Sequence, residues 1–99
     1  MILKIPAAAG TLESSDVQIF VAPNPDGGIS IDLQSDVKAQ FGEAIEETVA
    51  QVLREFDIQN AQVRLVDKGA LDCVIRARLR CAICRSAETP YDWTLEDAT

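Results

Sequence analysis

The amino-acid sequence predicts an α+β domain, a small mixed β-sheet with two helices on one face, in the order β-β-α-β-α. Three observations carry this. Two short stretches alternate apolar and polar residues with a period of two, a long central segment repeats its apolar residues at helical spacing, and a third alternating stretch follows it. With 99 residues, 47% apolar and 25% charged, the chain has room for one core. Residues 1–88 are expected to form that domain, and 89–99 an acidic, mobile tail without a regular period.

In residues 16–22, Val17, Ile19 and Val21 share one side of an extended chain, and the Val/Ile/Phe content favours a strand. Asn24-Pro25-Asp26-Gly27-Gly28 supplies turn chemistry. Residues 28–34 then alternate again, Ile29, Ile31 and Leu33 opposite Ser30, Asp32 and Gln34, so the two strands are expected to form an antiparallel hairpin with one wet face. Covering the other face falls to the segment in which Val37, Phe41, Ala44, Ile45, Thr48, Val49, Val52, Leu53 and Phe56 follow i, i+3/i+4 spacing. Ser35 is the expected N-cap of that helix, and Asp36 adds charge that its dipole favours. Glu43, Glu46, Glu47, Gln51 and Arg54 form the solvent side, and Gly42 costs about 1 kcal/mol relative to Ala.

Beyond Asn60, Ala61, Val63 and Leu65 alternate with Gln62 and Arg64 as a third strand. A strand, helix, strand order implies a right-handed crossover, hence parallel pairing if the second and third strands are neighbours. Residues 70–85 fit two periods. As a strand, Leu71, Cys73, Ile75, Ala77, Leu79 and Cys81 alternate with polar residues; as a helix, Leu71, Val74, Ile75, Leu79, Ala82 and Ile83 form one stripe, with Asp72 four residues before Arg76. Length decides for a helix, since strands typically run to ~5–6 residues.

Composition narrows the function. Nine Lys+Arg against 16 Asp+Glu give a net charge of −7, without the basic footprint that nucleic acid or an anionic membrane surface requires. No apolar run approaches the ~18–20 residues that span a bilayer. Lys4 and Pro6 interrupt the N-terminal stretch where a signal peptide would be apolar, so residues 1–9 are expected in the mature protein. Three cysteines crowded into the last third make a poor disulfide framework, which points to the cytoplasm. The absence of histidine removes the commonest catalytic base and metal ligand, and no pair of carboxylates converges in the sequence, so a non-catalytic protein is expected.

Cys81-Ala-Ile-Cys84 has the spacing of a redox pair or half a zinc site. It lies near the end of the expected helix, whereas thiol activation favours a helix start, and zinc would lack ligands. Cys73, Ala77, Cys81 and Cys84 instead form a stripe of small residues suited to packing. Arg76, Arg78, Arg80 and Arg85 read as a solvated, salt-bridged helix face, and Trp93 as a local packing anchor. What remains is Ala9-Gly10-Thr11-Leu12-Glu13-Ser14-Ser15-Asp16, a polar loop ahead of the first predicted strand, whose serines lack a nearby base but suit a group installed by another enzyme.

The segments Gly10-Thr11-Leu12-Glu13-Ser14-Ser15-Asp16-Val17, Gln40-Phe41-Gly42 and Asp67-Lys68-Gly69-Ala70-Leu71-Asp72 through Leu79 resemble the citrate lyase acyl carrier protein family, the gamma subunit of that enzyme. The resemblance runs in order through nearly the whole chain. It implies a covalently attached 2'-(5''-phosphoribosyl)-3'-dephospho-CoA arm (phosphoribosyl-dephospho-coenzyme A), linked through a phosphodiester to Ser14; Ser15 occupies a position where the family also accepts Gly. It also implies a cycle in which the alpha subunit of citrate lyase exchanges the acetyl group on the arm for citrate. The beta subunit then cleaves the citryl thioester to oxaloacetate and regenerates the acetyl thioester. A prosthetic-group transferase is the implied modifying partner. The carrier subunit of malonate decarboxylase is the nearest alternative, and a thiol redox module or plain interaction subunit the alternatives from other classes.

Overall fold

The computed structural model describes residues 1–35 and 38–89, with 38–40 as backbone alone. Six elements follow in order: β1 (Ala7–Gly10), β2 (Val17–Ala22), β3 (Ile29–Ser35), α1 (Lys38–Glu55), β4 (Ala61–Asp67) and α2 (Asp72–Ser86). They build a mixed sheet of strand order β1-β2-β4-β3, with both helices packed on one face. The α+β class, the two helices and the helical state of 72–86 agree with the sequence reading. The expected Ser35 cap, Asp36, Val37 and the tail from residue 90, including Trp93, involve residues outside those described.

Two features of the sheet differ. First, Ala7–Gly10 is an additional strand, antiparallel to β2 with Ala7 opposite Val21 and Gly10 opposite Gln18. Its Ala-rich sequence has little strand propensity of its own; pairing with β2 and burial of Ala9 supply what propensity does not. Second, β2 and β3 do not form a hairpin, because β4 lies between them, antiparallel to β2 and parallel to β3. The connection over 23–28 has ample length to step across one intervening strand, since two strand spacings amount to roughly 10 Å and six extended residues reach about 20 Å. Its turn chemistry is spent on β4. Asn60 Oδ1 accepts from the Gly28 amide at 2.8 Å, and the Gly28 carbonyl accepts from the Ala61 amide at 3.0 Å. The parallel β3–β4 pair around the α1 crossover is the one the sequence order implied.

Register explains the core. Ala7, Val21, Val63 and Ile31 form one row across the inner face, and Ala9, Ile19, Leu65 and Leu33 the next. Against them pack Ile45, Val49, Val52 and Leu53 of α1 and Ile75, Leu79, Ala82 and Ile83 of α2, all buried. The outer face carries Ala8, Phe20, Arg64 and Asp32 in register and is the expected wet face. The apolar stripe of α1 is incomplete at its start. Phe41 is 53% exposed and Ala44 exposed, because the β4–α2 connection leaves a groove beside them rather than covering them.

Gly10 is the tightest point of the backbone. It has φ +91°, and a Cβ there would stand 1.8 Å from the Val17 carbonyl oxygen, across the neck of the β1–β2 loop. Gly28 has a similar φ of +81° but open space around it. Gly28→Ala should therefore cost about 1 kcal/mol of backbone strain, and Gly10→Ala about 3 kcal/mol or more. Urea unfolding of the two variants beside the parent chain checks the difference; equal costs would mean that the Gly10 neck opens freely.

Candidate functional site

The polar segment around Ser14 closes the β1–β2 hairpin instead of preceding a first strand. Its root is pinned by Gly10 and its body by side chains. Thr11 Oγ1 donates to Asp16 Oδ2 at 2.6 Å while accepting from the Glu13 amide at 3.2 Å, and the Asp16 amide donates to the Glu13 carbonyl at 3.1 Å. Asp16 Oδ1 also accepts from the Val17 amide at 2.8 Å. The loop is thus a compact turn with an aspartate at its hub.

That hub is tied to the rest of the molecule. Arg78 of α2 grips Asp16 with both nitrogens of a fork, Nε to Oδ1 at 3.1 Å and Nη2 to Oδ2 at 3.2 Å. On the other side the Ser15 amide donates to the Lys68 carbonyl at 2.8 Å, and the Lys68 amide to the Asp16 carbonyl at 2.9 Å. These bonds extend the β2–β4 ladder into the loop and hold Ser15 at φ +65°, a left-handed conformation that a non-glycine residue adopts only under constraint. Ser14, just before it, is exposed, and among the described residues its hydroxyl has no hydrogen-bond partner.

The neighbouring connection is anchored in the same manner. Asp67, buried at the end of β4, accepts from Ser35 Oγ at 2.8 Å and from the Ala70 amide at 2.9 Å. Asp72, opening α2, accepts from Thr48 Oγ1 of α1 and from Arg76 Nε, the latter at 2.6 Å. The hydrogen bond from Thr48, then that from Arg76, holds the Asp72 carboxyl below its ordinary range. The serine loop, the end of β4 and the starts of both helices therefore share one end of the sheet.

The expected solvated, salt-bridged face holds for Arg76, paired with Asp72, and for the part-exposed Arg78, but not for every arginine of α2. Arg80 is buried and paired with Glu55 of α1 at 3.1 Å, and Arg85 donates to the Ala8 carbonyl at 2.7 Å. The small-residue stripe also holds only in part: Cys84 is buried and Cys81 packs against the core, but Cys73 is exposed. Burial, and secondarily Cys81, push the Cys84 thiol above its ordinary pKa, the reverse of what a reactive thiolate needs. Among the described residues no group of acidic or cysteine side chains could hold a metal ion, and no helix is long and apolar enough to cross a membrane.

Sequence reasoning reached Ser14 through the motif but missed Asp16 and Arg78 as its support. Asp16 read as a turn former, and its partner lies 62 residues away.

Comparison with known proteins covers nearly the whole chain. A family profile described as the malonate decarboxylase delta subunit matches residues 4–86. The chain is 59% identical over 88 residues to the citrate lyase acyl carrier protein of Lactococcus lactis, covering 89% of this chain and 91% of that one. It is 52% identical to the protein of the same name from Fusobacterium nucleatum, covering 90% and 95%, and 52% to that of Vibrio cholerae, covering 90% and 92%. Among solved structures, a Pseudomonas malonate decarboxylase hetero-tetramer in complex with malonate contains a chain similar to this one in fold, with a TM-score of 0.60 at 22% identity, covering 86% of this chain and 91% of that one. Homoserine kinase from Cytophaga hutchinsonii shares the fold with a TM-score of 0.58 at 10% identity, this chain spanning 36% of it.

The Asp16 hub has a measurable signature. The hydrogen bond from Thr11 is the largest cause, aided by the Val17 amide and Arg78, of a carboxyl pKa lowered from 3.8 to about 2. Because the folded value lies below the unfolded one, the ionised carboxylate stabilises the fold fully above about pH 4, and that contribution is lost as pH falls towards 2. At neutral pH it amounts to about 2 kcal/mol. Asp16→Asn should cost about that much at pH 7 and flatten the stability decline between pH 4 and 2, read by denaturant unfolding across that range. An unaltered acid limb would remove Asp16 from the hub.

Proposed function

The chain belongs to the citrate lyase acyl carrier protein family, within the wider family described by the malonate decarboxylase delta subunit, and from that premise we propose that it is the acyl carrier subunit of a citrate lyase, with Ser14 as the attachment point of its prosthetic arm. Residues 1–88 act as the carrier domain. The arm proposed is phosphoribosyl-dephospho-coenzyme A, held by a phosphodiester. The alpha and beta subunits of the lyase are the partners that act on what it carries, and a transferase installs it.

One observation carries the Ser14 reading: an exposed hydroxyl, free of hydrogen bonds among the described residues, on a loop fixed at both ends. These residues fit the group. A phosphodiester on serine needs a primary hydroxyl that a modifying enzyme can reach, and no described side chain engages that of Ser14. The new anion would sit close to Asp16, whose charge Arg78 already neutralises, so the substitution does not set two uncompensated negative charges together. Ser15 differs in being built into the backbone pairing with Lys68.

When bound, the arm supplies the thiol that carries the acyl group. The chain's own residues contribute placement. Arg78 and Thr11 fix the loop through Asp16, and the sheet beneath fixes its direction, so the root of the arm stays in one orientation while its far end explores the partners' sites at high effective concentration. The cysteines take no part; the raised Cys84 thiol and the packed Cys81 serve the core. Malonate decarboxylase resembles the chain in fold at 22% identity, whereas the relatives at 52–59% identity all carry the citrate lyase name, which favours that substrate.

Ser14→Ala should leave the unfolding free energy within about 0.5 kcal/mol of the parent, as an exposed side chain implies, yet abolish both the mass gained on co-expression with the modifying enzymes and lyase activity in the reconstituted complex. Ser15→Ala should retain both, and Cys81→Ser and Cys84→Ser should lower stability without loss of arm attachment. Full activity from the Ser14→Ala chain would end the proposal.

A further inference from the structure

The same end of the molecule holds an apolar groove that the loop chemistry does not use. Phe41, Ala44 and Ile45 of α1 form one wall and Ala70 and Leu71 of the β4–α2 connection the other, enclosing about 330 Å³. Leu71 is 70% exposed and Phe41 53%, two large apolar side chains beside a common opening. The rim on one side is polar, where Thr48 donates to Asp72 and Arg76 braces that carboxylate.

We infer that this groove is a resting site for the pantetheine portion of the arm carried by Ser14. The inference rests on the Ser14 reading above and adds an intramolecular site to it. The groove is continuous with the loop: Ser15 is hydrogen-bonded to Lys68, and Gly69, the next residue, lies on the groove's wall. A Cβ at Gly69 would meet nothing within 4 Å, so the groove wall is uncrowded at the residue next to Lys68. The volume is near the lower end of small-molecule pockets at about 300 Å³. That suits a pantetheine segment, with its geminal dimethyl and methylenes against apolar walls, and not an entire nucleotide-bearing arm.

Position separates this groove from the larger recess on the open sheet face. That recess is lined by Pro6, Phe20, Ala22, Ser30 and Gln62. Strand register sets these residues towards the Ala22, Ser30 and Gln62 end of the sheet, whereas the serine loop joins the Gly10 and Gln18 end. The Phe41–Leu71 groove, whose wall begins one residue after Lys68, is at the end of the sheet where an arm rooted at Ser14 would emerge. Sequestration there would hide Leu71, Phe41 and the arm's own apolar segment from water together, and withdrawal onto a partner would need only loss of these non-directional contacts.

The test uses the arm-bearing full chain, made by co-expression with its modifying enzymes, with methyl-labelled Ala, Ile and Leu and an unlabelled arm. Peptide mapping first establishes that Ser14 is loaded. Nuclear Overhauser contacts are then expected from the pantetheine geminal dimethyl to the methyls of Leu71, Ala70 and Ile45, with shifts of these methyls relative to the Ser14→Ala chain. Leu71→Glu, at an exposed position, should keep the arm on Ser14 but lose the contacts and return the remaining groove methyls to their unloaded shifts. An arm on Ser14 that touches no groove methyl, or touches Ala8 and Ala22 on the open face, overturns the inference and leaves the carrier reading intact. Groove shifts that appear only on adding the alpha subunit overturn it too, and give the groove to a partner. An arm mapped to another residue overturns the Ser14 reading, and the inference with it.

Discussion

Everything at the functional end of this domain hangs on the position of β4. It is hydrogen-bonded on both sides, to β2 from Gln62 to Asp67 and to β3 from Ala61 to Asp67, and its inward side chains Ala61, Val63 and Leu65 are buried. A strand paired on both edges has no freedom to slip, because a shift of one residue would turn Val63 and Leu65 to water and Arg64 into the core. With β4 fixed, its last residue delivers Asp67 to one place, where the carboxylate collects Ser35 from β3 and the Ala70 amide from the following connection. The residue after it, Lys68, offers both backbone groups to the serine loop. The central strand thus sets loop, connection and helix starts in one frame.

Arg78 converts that frame into a clamp. A bidentate pair between a guanidinium and a carboxylate constrains direction as well as distance, and this one joins the second helix to the first hairpin across the core. Asp16 is mostly shielded from water while Arg78 remains partly exposed, so the carboxylate's desolvation is offset by three kinds of donor: a hydroxyl, a backbone amide and the guanidinium. A pair of this type contributes less through gross Coulomb attraction than through the loop conformation it selects, including the left-handed Ser15 that an unclamped loop would relax.

How much of this was legible in the sequence follows from the range of each interaction. Elements with a strong local period, β2, β3, β4 and α1, could be read because burial on one face writes a pattern every two or every 3.6 residues, whereas α2, whose residues fit both periods, is read from its length. β1 could not: four residues of Ala and Gly take their strand state from β2, a non-local cause. The expected hairpin failed for a related reason. Turn residues at 24–28 announce a change of direction but not which strand receives it, and Asn60, thirty-two residues from Gly28, decides. At the candidate site the family resemblance singled out Ser14 from its local segment, while Arg78, Lys68 and the Phe41–Leu71 groove arise only when distant segments meet. Phe41 was assigned to the core by its spacing; nothing in that spacing records that the facing connection stops short of it.

An acyl carrier has a mechanical requirement, and the distribution of rigidity in this domain suits it. If the root of a long tether were itself loose, the volume its far end searches would grow and the effective concentration at each partner site would fall. A rigid root lets the tether's own flexibility set that volume. Rigidity is therefore concentrated beneath Ser14, in Asp16, Arg78, Thr11 and the Lys68 ladder, while the Ser14 hydroxyl itself is left out of the network. The same logic accounts for the chemistry the chain omits. A histidine or an activated thiol within reach of a tethered thioester would invite its hydrolysis or exchange; this chain has no histidine, and its most buried cysteine is held towards the thiol form. Inertness around the proposed root and order beneath it together suit a domain that carries a reactive group on a tether.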